Sequence, residues 1–422
     1  MDTRFSNIFN LTEDQAIALL QTPLDDLEDK TDRYIAASHL VNFPSERTVN
    51  ALIEAIHNPD PHLYNRITRR KAIESLGRLK ANIALPVICS CLADDDIYTV
   101  ENSVWAIGEI GTDDATILEE IAKLLEKPQQ SYRVIIQTLA NFNYLPALER
   151  IKPFIDSDNE PIASSAIAAV ARFTGDYSQI DKVVAFLTHS SVNARRACIQ
   201  DLIDAKYYDA IPQIARCAVS IVFRLRGIRL LADAGKEEGK LSFSQIEPFL
   251  DQVMRDHPND LDLVHQYEEI PPTEFLIQEL YNTDFGRCYL ATKALIENYA
   301  ETVEDEVIKS YNDEAHNDYG AHYHVIKLLG WLKSDAGYEI VVEALNNRRP
   351  QFQKSRSAAA IALANYGDKK AIPLIQEALN TKVWELKYAC LMALKELGEG
   401  NLQSYLTDED DWMVKEKGNL LA

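Results

Sequence analysis

Apolar positions along this chain recur with the spacing of a helix face. Leu386, Ala389, Cys390, Ala393, Leu394 and Leu397 fall three, four, seven, eight and eleven residues apart, which places them on one side of an α-helix. Gly398 follows as a stop signal. Val100, Val104 and Ile107 repeat the pattern before Gly108 and Gly111. Aligning the helix ends exposes a repeat. Ala72-Ile-Glu-Ser-Leu-Gly77 precedes Ser103-Val-Trp-Ala-Ile-Gly108 by 31 residues, and Ala362-Leu-Ala-Asn-Tyr-Gly367 precedes Ala393-Leu-Lys-Glu-Leu-Gly398 by 31 residues. Weaker copies end at Gly175, Gly235 and Gly330.

A second signal leads many of these helices: Ala84-Leu-Pro86, Tyr144-Leu-Pro146, Ala210-Ile-Pro212 and Ala371-Ile-Pro373. Proline is tolerated in a first helical turn, where its missing N–H would lack a partner anyway. Each repeat is therefore a Pro-started helix, a turn with Asp or Asn, and an Ala-rich second helix whose small residues let layers stack. The predicted fold is all-α, a solenoid of HEAT-type helical hairpins whose second helices line a concave binding face. The repeat is regular over 1–235 and again over 318–422. Between them, 236–317 reads as an irregular helical middle, with Lys236-Glu-Glu-Gly-Lys240 and Glu268-Glu-Ile-Pro-Pro272 as connectors. The three segments are expected to form one continuous solenoid. Asp408-Glu-Asp-Asp411 reads as part of a polar end cap.

Composition agrees with a repeat array. The chain has 422 residues, of which 46% are hydrophobic, enough for a continuous core and too long for one ordinary compact one. Its 15 glycines argue against a loop-rich β protein. The net charge of −22 disfavours broad nucleic-acid binding. No apolar segment follows the charged N-terminus, so no signal peptide is read there. The charge-free stretch from Val134 to Leu148 is too short to span a bilayer, so no membrane insertion is expected. The six cysteines read as small core residues in a reducing cytoplasm, and Cys89-x-Cys91 lacks a second pair with metal spacing.

Three segments carry a family resemblance: Arg69-Arg-Lys-Ala-Ile-Glu-Ser-Leu-Gly77, Val104-Trp-Ala-Ile-Gly-Glu-Ile-Gly111 and Arg356-Ser-Ala-Ala-Ala-Ile-Ala-Leu-Ala-Asn-Tyr-Gly367. They resemble the HEAT-repeat phycobilin lyases of the E/F class. The resemblance runs over roughly residues 30 to 400. The single long chain is more similar to the phycoerythrin α-subunit bilin lyases and lyase-isomerases than to the short two-subunit phycocyanin type. Asn317-Asp-Tyr-Gly-Ala-His-Tyr-His-Val-Ile-Lys-Leu-Leu-Gly-Trp331 is similar to a C-terminal helix of those long enzymes. The resemblance implies an enzyme that forms a thioether between phycoerythrobilin, its substrate, and a cysteine of a phycoerythrin α-type subunit, its protein partner. In part of the family the bilin is also isomerised to phycourobilin. It implies a cyanobacterial, cytoplasmic protein with no cofactor.

Such chemistry has physical needs. Pyrrole nitrogens want a carboxylate, propionates want Arg or Lys, and a flat conjugated ligand wants aromatic walls. Thiol addition and isomerisation want an acid and a base. Asp318, Tyr319, His322, Tyr323 and His324 crowd one helix start. Asp318 and Tyr319 lie one turn from His322 and share a face with it. Tyr319 suits an acid, His322 a base, and Asp318 an orienting group or pyrrole partner, with Tyr323 and His324 against the bilin. The same residues also fit a wet helix start capped by Asp318. Tyr98, Glu101 and Trp105 form a second candidate stripe, with Glu109 beyond them; it also fits a solvated helix face. Among the scattered arginines at helix starts (Arg66, Arg69, Arg70, Arg195, Arg196, Arg224, Arg226, Arg229, Arg287), Arg66 and Arg70 are the first candidates for the propionates, and local pairing with acids is the alternative. No metal cluster or phosphate loop is present in the pattern. The competing functional reading is a non-catalytic HEAT adaptor, or a bilin-binding factor of phycobilisome degradation.

Overall fold

The computed structural model describes residues 11–400, 402–406 and 409–421. Among these the chain is helical throughout, with one isolated bridge, Cys217 to Asp262, and no strand. No helix is long and apolar enough to cross a membrane. The chain divides into two compact units, Met1–Ile180 and Asp181–Ala422. The predicted breaks at 235 and 317 do not coincide with this division.

In the first unit the inner helices Asp32–His39, Leu63–Arg78, Ile97–Ile110, Tyr132–Asn141 and Glu160–Thr174 stack in chain order. Val100, Val104 and Ile107 are buried, as their spacing predicts. In the second unit Val192–Asp204 packs on Ile221–Glu237. Phe285–Tyr299, Tyr319–Leu332, Gln353–Tyr366 and Trp384–Glu396 form a second run of layers. The segment predicted as irregular holds the helices Phe243–Arg255, Thr273–Glu279, Phe285–Tyr299 and Glu304–Ser310, then a π-helical turn at Tyr311–Ala315. Pro86, Pro212 and Pro373 sit in the first turn of short outer helices, as expected.

The repeat glycines divide into two kinds. Gly367 ends its helix in the left-handed region at φ 74°, where a side chain would be strained. Gly330, expected at a helix end, instead lies inside Tyr319–Leu332. A Cβ there would come within 2.7 Å of the Ala362 Cα. Its missing side chain lets two buried helices touch.

The tail is more than a polar cap. Asp408 lies outside the described residues, but Asp411 accepts hydrogen bonds from Met413 N, Val414 N and Arg229 Nη1. The helix Trp412–Leu421 packs on Trp384–Glu396 and buries Lys417, whose ammonium donates to Glu247 and Asp251.

Candidate functional site

In the second unit, Tyr319–Leu332 is apolar on nearly every side and is buried from Gly320 to Gly330. A helix apolar all round belongs inside a protein. Asp318 starts it by accepting hydrogen bonds from Gly320 N and Ala321 N, both at 2.7 Å. Its carboxylate therefore serves as the helix cap. Tyr319, 46% exposed, stands at the rim. His322 does not share its surroundings. The imidazole is fully buried and stacked on Phe352 at 4.4 Å, and neither ring nitrogen has a hydrogen-bond partner. Burial, with the Lys354 charge adding to it, pulls its pKa down to about 4. The expected meeting of Tyr319 and His322 in one small volume is thus replaced by one residue at the rim and one enclosed in packing. His324 is likewise enclosed between the rings of Phe285 and Tyr289, with its pKa pulled down by burial to about 3.

Tyr323 belongs to a buried polar network. Asp256, in the left-handed region at the end of Phe243–Arg255, accepts hydrogen bonds from Arg224, from the Tyr289 hydroxyl at 2.8 Å and from the Tyr323 hydroxyl. Arg224 also donates to the Val219 and Ala215 carbonyls. Burial works against ionised Asp256, but the Arg224 and Lys327 charges and the Tyr323 hydrogen bond outweigh it and hold its pKa below the ordinary value. Burial holds both tyrosines well above theirs. The network thus fixes the Tyr323 ring by its hydroxyl.

Beside that ring lies Lys354, in the first turn of Gln353–Tyr366. Only 9% of it is exposed, and its ammonium has no hydrogen-bond partner. The nitrogen sits 3.3 Å from the Tyr319 ring centroid, 4.2 Å from that of Phe285 and 5.2 Å from that of Tyr323. Three aromatic faces give a cation partial compensation for lost water. The compensation is incomplete, and burial pulls the amine down to about 7. Lys354 lines a cavity of about 410 Å³. Its apolar walls are Ile221, Val222, Leu225, Pro350 and Val383; Tyr319, Ser357 and Glu385 supply polar groups. The Ser357 hydroxyl is also buried without a partner, and burial raises the Glu385 carboxyl. Lys354 had a signal in the sequence: it stands four and seven residues before Ala358 and Ile361, in register with a buried apolar stripe. Asp256 and Tyr289 had none, because a left-handed helix end and a contact between distant helices bring them together.

The candidates of the first unit are arranged differently. Arg70 holds Asp96 by two hydrogen bonds, 2.7 and 2.6 Å, and lies 4.8 Å from the Tyr98 ring centroid. Arg66 reaches the same carboxylate at 3.9 Å. Glu101 accepts a hydrogen bond from Ser131 at 2.7 Å. Glu101 and half-buried Trp105 border a shallow hollow of about 400 Å³ with Glu74, Arg78, Asn102 and Val134. Tyr98 is not part of that lining. The other arginines are also engaged: Arg195 with Asp284, Arg196 with the Thr283 carbonyl, Arg226 with Gln200, Arg229 with Asp233, and Arg287 with Glu279.

Known proteins place this architecture. HEAT repeats are matched over residues 17–100 and 348–419. A phycocyanin operon protein Y of Pseudanabaena tenuis is 55% identical over 99% of this chain and 100% of its own length. The bilin biosynthesis protein CpeY of Synechococcus is 34% identical over 88% of this chain and 91% of its own. The chain belongs to the HEAT-repeat phycobilin lyase family. Within that family, the complex of CpcE and CpcF of phycocyanin lyase from Nostoc shares the fold, with 24% identity and a TM-score of 0.50 over 58% of this chain and 94% of the matched one.

Proposed function

We propose that this chain is a bilin lyase that attaches phycoerythrobilin to a cysteine of a phycoerythrin α-type subunit and isomerises it to phycourobilin. Membership of the phycobilin lyase family supports the attachment. The observation that carries the reading is the cavity of the second unit. It has a volume of about 410 Å³ with apolar walls, within the range of small-molecule sites, and a few polar groups converge on it. The bilin, a substrate and not a cofactor, is flat and apolar with acidic side arms, and such walls suit it. Attachment is a net addition of the acceptor's S–H across the ring A ethylidene bond. Sulfur bonds to the side-chain carbon, and a proton ends on the ring carbon, so no oxidant or reductant is needed. Isomerisation moves a double bond by removing one proton and adding another. In this reading the Tyr319 hydroxyl at the cavity rim delivers a proton to the bilin, and Glu385 accepts pyrrole N–H groups or takes up a proton. Tyr323 packs behind Lys354, Asp318 holds the helix start, and His322 and His324 keep the helix packed as neutral rings.

The test is co-expression of the full chain and its Tyr319→Phe variant with a bilin-making pathway and a phycoerythrin α-type subunit, read by absorbance of the denatured acceptor. Wild type should give covalently attached phycourobilin. Tyr319→Phe should give phycoerythrobilin, absorbing at longer wavelength, or a much lower yield. A wild-type product of phycoerythrobilin alone would limit the enzyme to attachment. An acceptor left colourless while this chain carries bilin would favour the adaptor reading.

A further inference from the structure

We propose that Lys354 and Ser357 form a carboxylate-binding site that takes one propionate of the bilin and so fixes its direction in the cavity. The inference rests on the lyase reading above and adds to it the group that anchors the substrate. Three independent observations converge. First, the Lys354 ammonium and the Ser357 hydroxyl are both buried and both lack a partner, and both residues line the cavity. A buried donor without an acceptor costs free energy, and few such groups persist unless a ligand uses them. Second, the two carboxylates that act on the amine are already engaged. Asp256 is taken by Arg224, Tyr289 and Tyr323, and Asp318 by the helix cap. Third, both donors lie in the first turn and a half of Gln353–Tyr366, whose start has no side-chain cap. Its positive end adds to the attraction for an anion.

The chemistry selects the ligand class. Ile221, Val222, Leu225, Pro350 and Val383 make much of the wall apolar, with Gln351, Gln353 and Glu385 as further polar lining, so the site suits a large, mostly apolar molecule bearing a carboxylate, rather than a small hydrated anion. A carboxylate held by an ammonium and a hydroxyl in low dielectric forms charge-assisted hydrogen bonds, the stronger class. Rings around the lysine hold its ammonium in place in the absence of any partner. One end of the bilin is thereby anchored, and ring A is presented in one register to Tyr319 and to the entering thiol.

The experiment compares phycoerythrobilin with its dimethyl ester, binding each to the purified full chain by fluorescence titration, with sodium acetate as a small-carboxylate control. Wild type should bind the free acid about 10- to 100-fold more tightly than the diester, the range of a charge-assisted contact. Lys354→Met, which keeps the stem and removes the charge, should erase that preference, and Ser357→Ala should reduce it several-fold. Acetate should not compete. Equal wild-type binding of acid and ester would overturn the carboxylate site while leaving bilin binding intact, and this comparison needs no variant to fold. A preference retained in a folded Lys354→Met would overturn it as well. Failure of wild type to bind either form would overturn both the lyase reading and this site.

Discussion

The two units of this chain treat charge in opposite ways. In the first, Arg70, Arg66 and Arg69 lie within reach of Asp96 and Asp94, and the pairs keep contact with solvent. In the second, Lys354 is enclosed among three aromatic rings with no carboxylate partner, and beside it His322 is buried with neither ring nitrogen partnered. Paired surface charge contributes little and asks for no ligand. Unpaired buried charge is costly, and its presence beside a cavity marks a place where structure has been set aside for binding. Charge census alone ranks the arginines of the first unit highest and does not separate paired cations from unpaired ones.

The contrast can be broken most severely at the Asp256 network. Asp256→Ala leaves Arg224 buried without its counter-ion, and should destabilise the second unit by about 3–5 kcal/mol in chemical denaturation. A loss no larger than that of an exposed aspartate would mean the network is not what fixes Tyr323.

Acid should act next. His322 and His324 titrate near 4 and 3 in the folded chain against 6.5 for the free side chain. The unfolded state binds these protons first, so stability should fall as pH drops from about 6.5 toward 4, by on the order of 3 kcal/mol for His322. His322→Leu should flatten that limb of the stability profile, and an unchanged profile would show that other groups produce it.

An effect of the same sign, at higher pH, is expected at Lys354. Its folded pKa of about 7 lies below the ordinary 10.5, so the unfolded chain again holds more protons between those values and wild-type stability rises over that window. Lys354→Met should therefore be more stable than wild type near pH 6, by on the order of 4 kcal/mol, with the advantage nearly gone by pH 10.5. Thermal unfolding across pH reads this directly. Asp256, Asp318, Cys288, His322, His324, Tyr319 and Tyr323 are the titratable groups that face the amine, and none should reproduce the pattern when replaced. Smallest of all, Arg70→Ala should cost about 0–1 kcal/mol, as partly exposed pairs do. A larger loss would give the first unit's charges a structural weight that their exposure does not suggest.

Much of the fold was legible in the sequence because it is local. The helix-face spacing of Leu386 to Leu397 and the first-turn prolines at 86, 212 and 373 need only neighbouring residues to be read. Gly330 misled because a glycine that ends a helix and one that lets helices touch look alike in sequence. At the site, Asp318 to His324 stood out as a cluster, but which face of that helix was buried depended on Phe352 and Phe285, from other helices. Lys354 was discernible as a charge in an apolar register. Its aromatic enclosure depends on Phe285, Tyr319 and Tyr323, which only tertiary packing brings together.

The central claim is that bilin is anchored by the buried lysine of the second unit and not by the arginines of the first. Titration of the full chain with phycoerythrobilin, beside Lys354→Met and the double variant Arg66→Ala/Arg70→Ala, tests it most directly. The account predicts affinity about 10- to 100-fold weaker for Lys354→Met and within about twofold of wild type for the arginine variant. Wild-type affinity in folded Lys354→Met, with binding lost in the arginine variant, would contradict it.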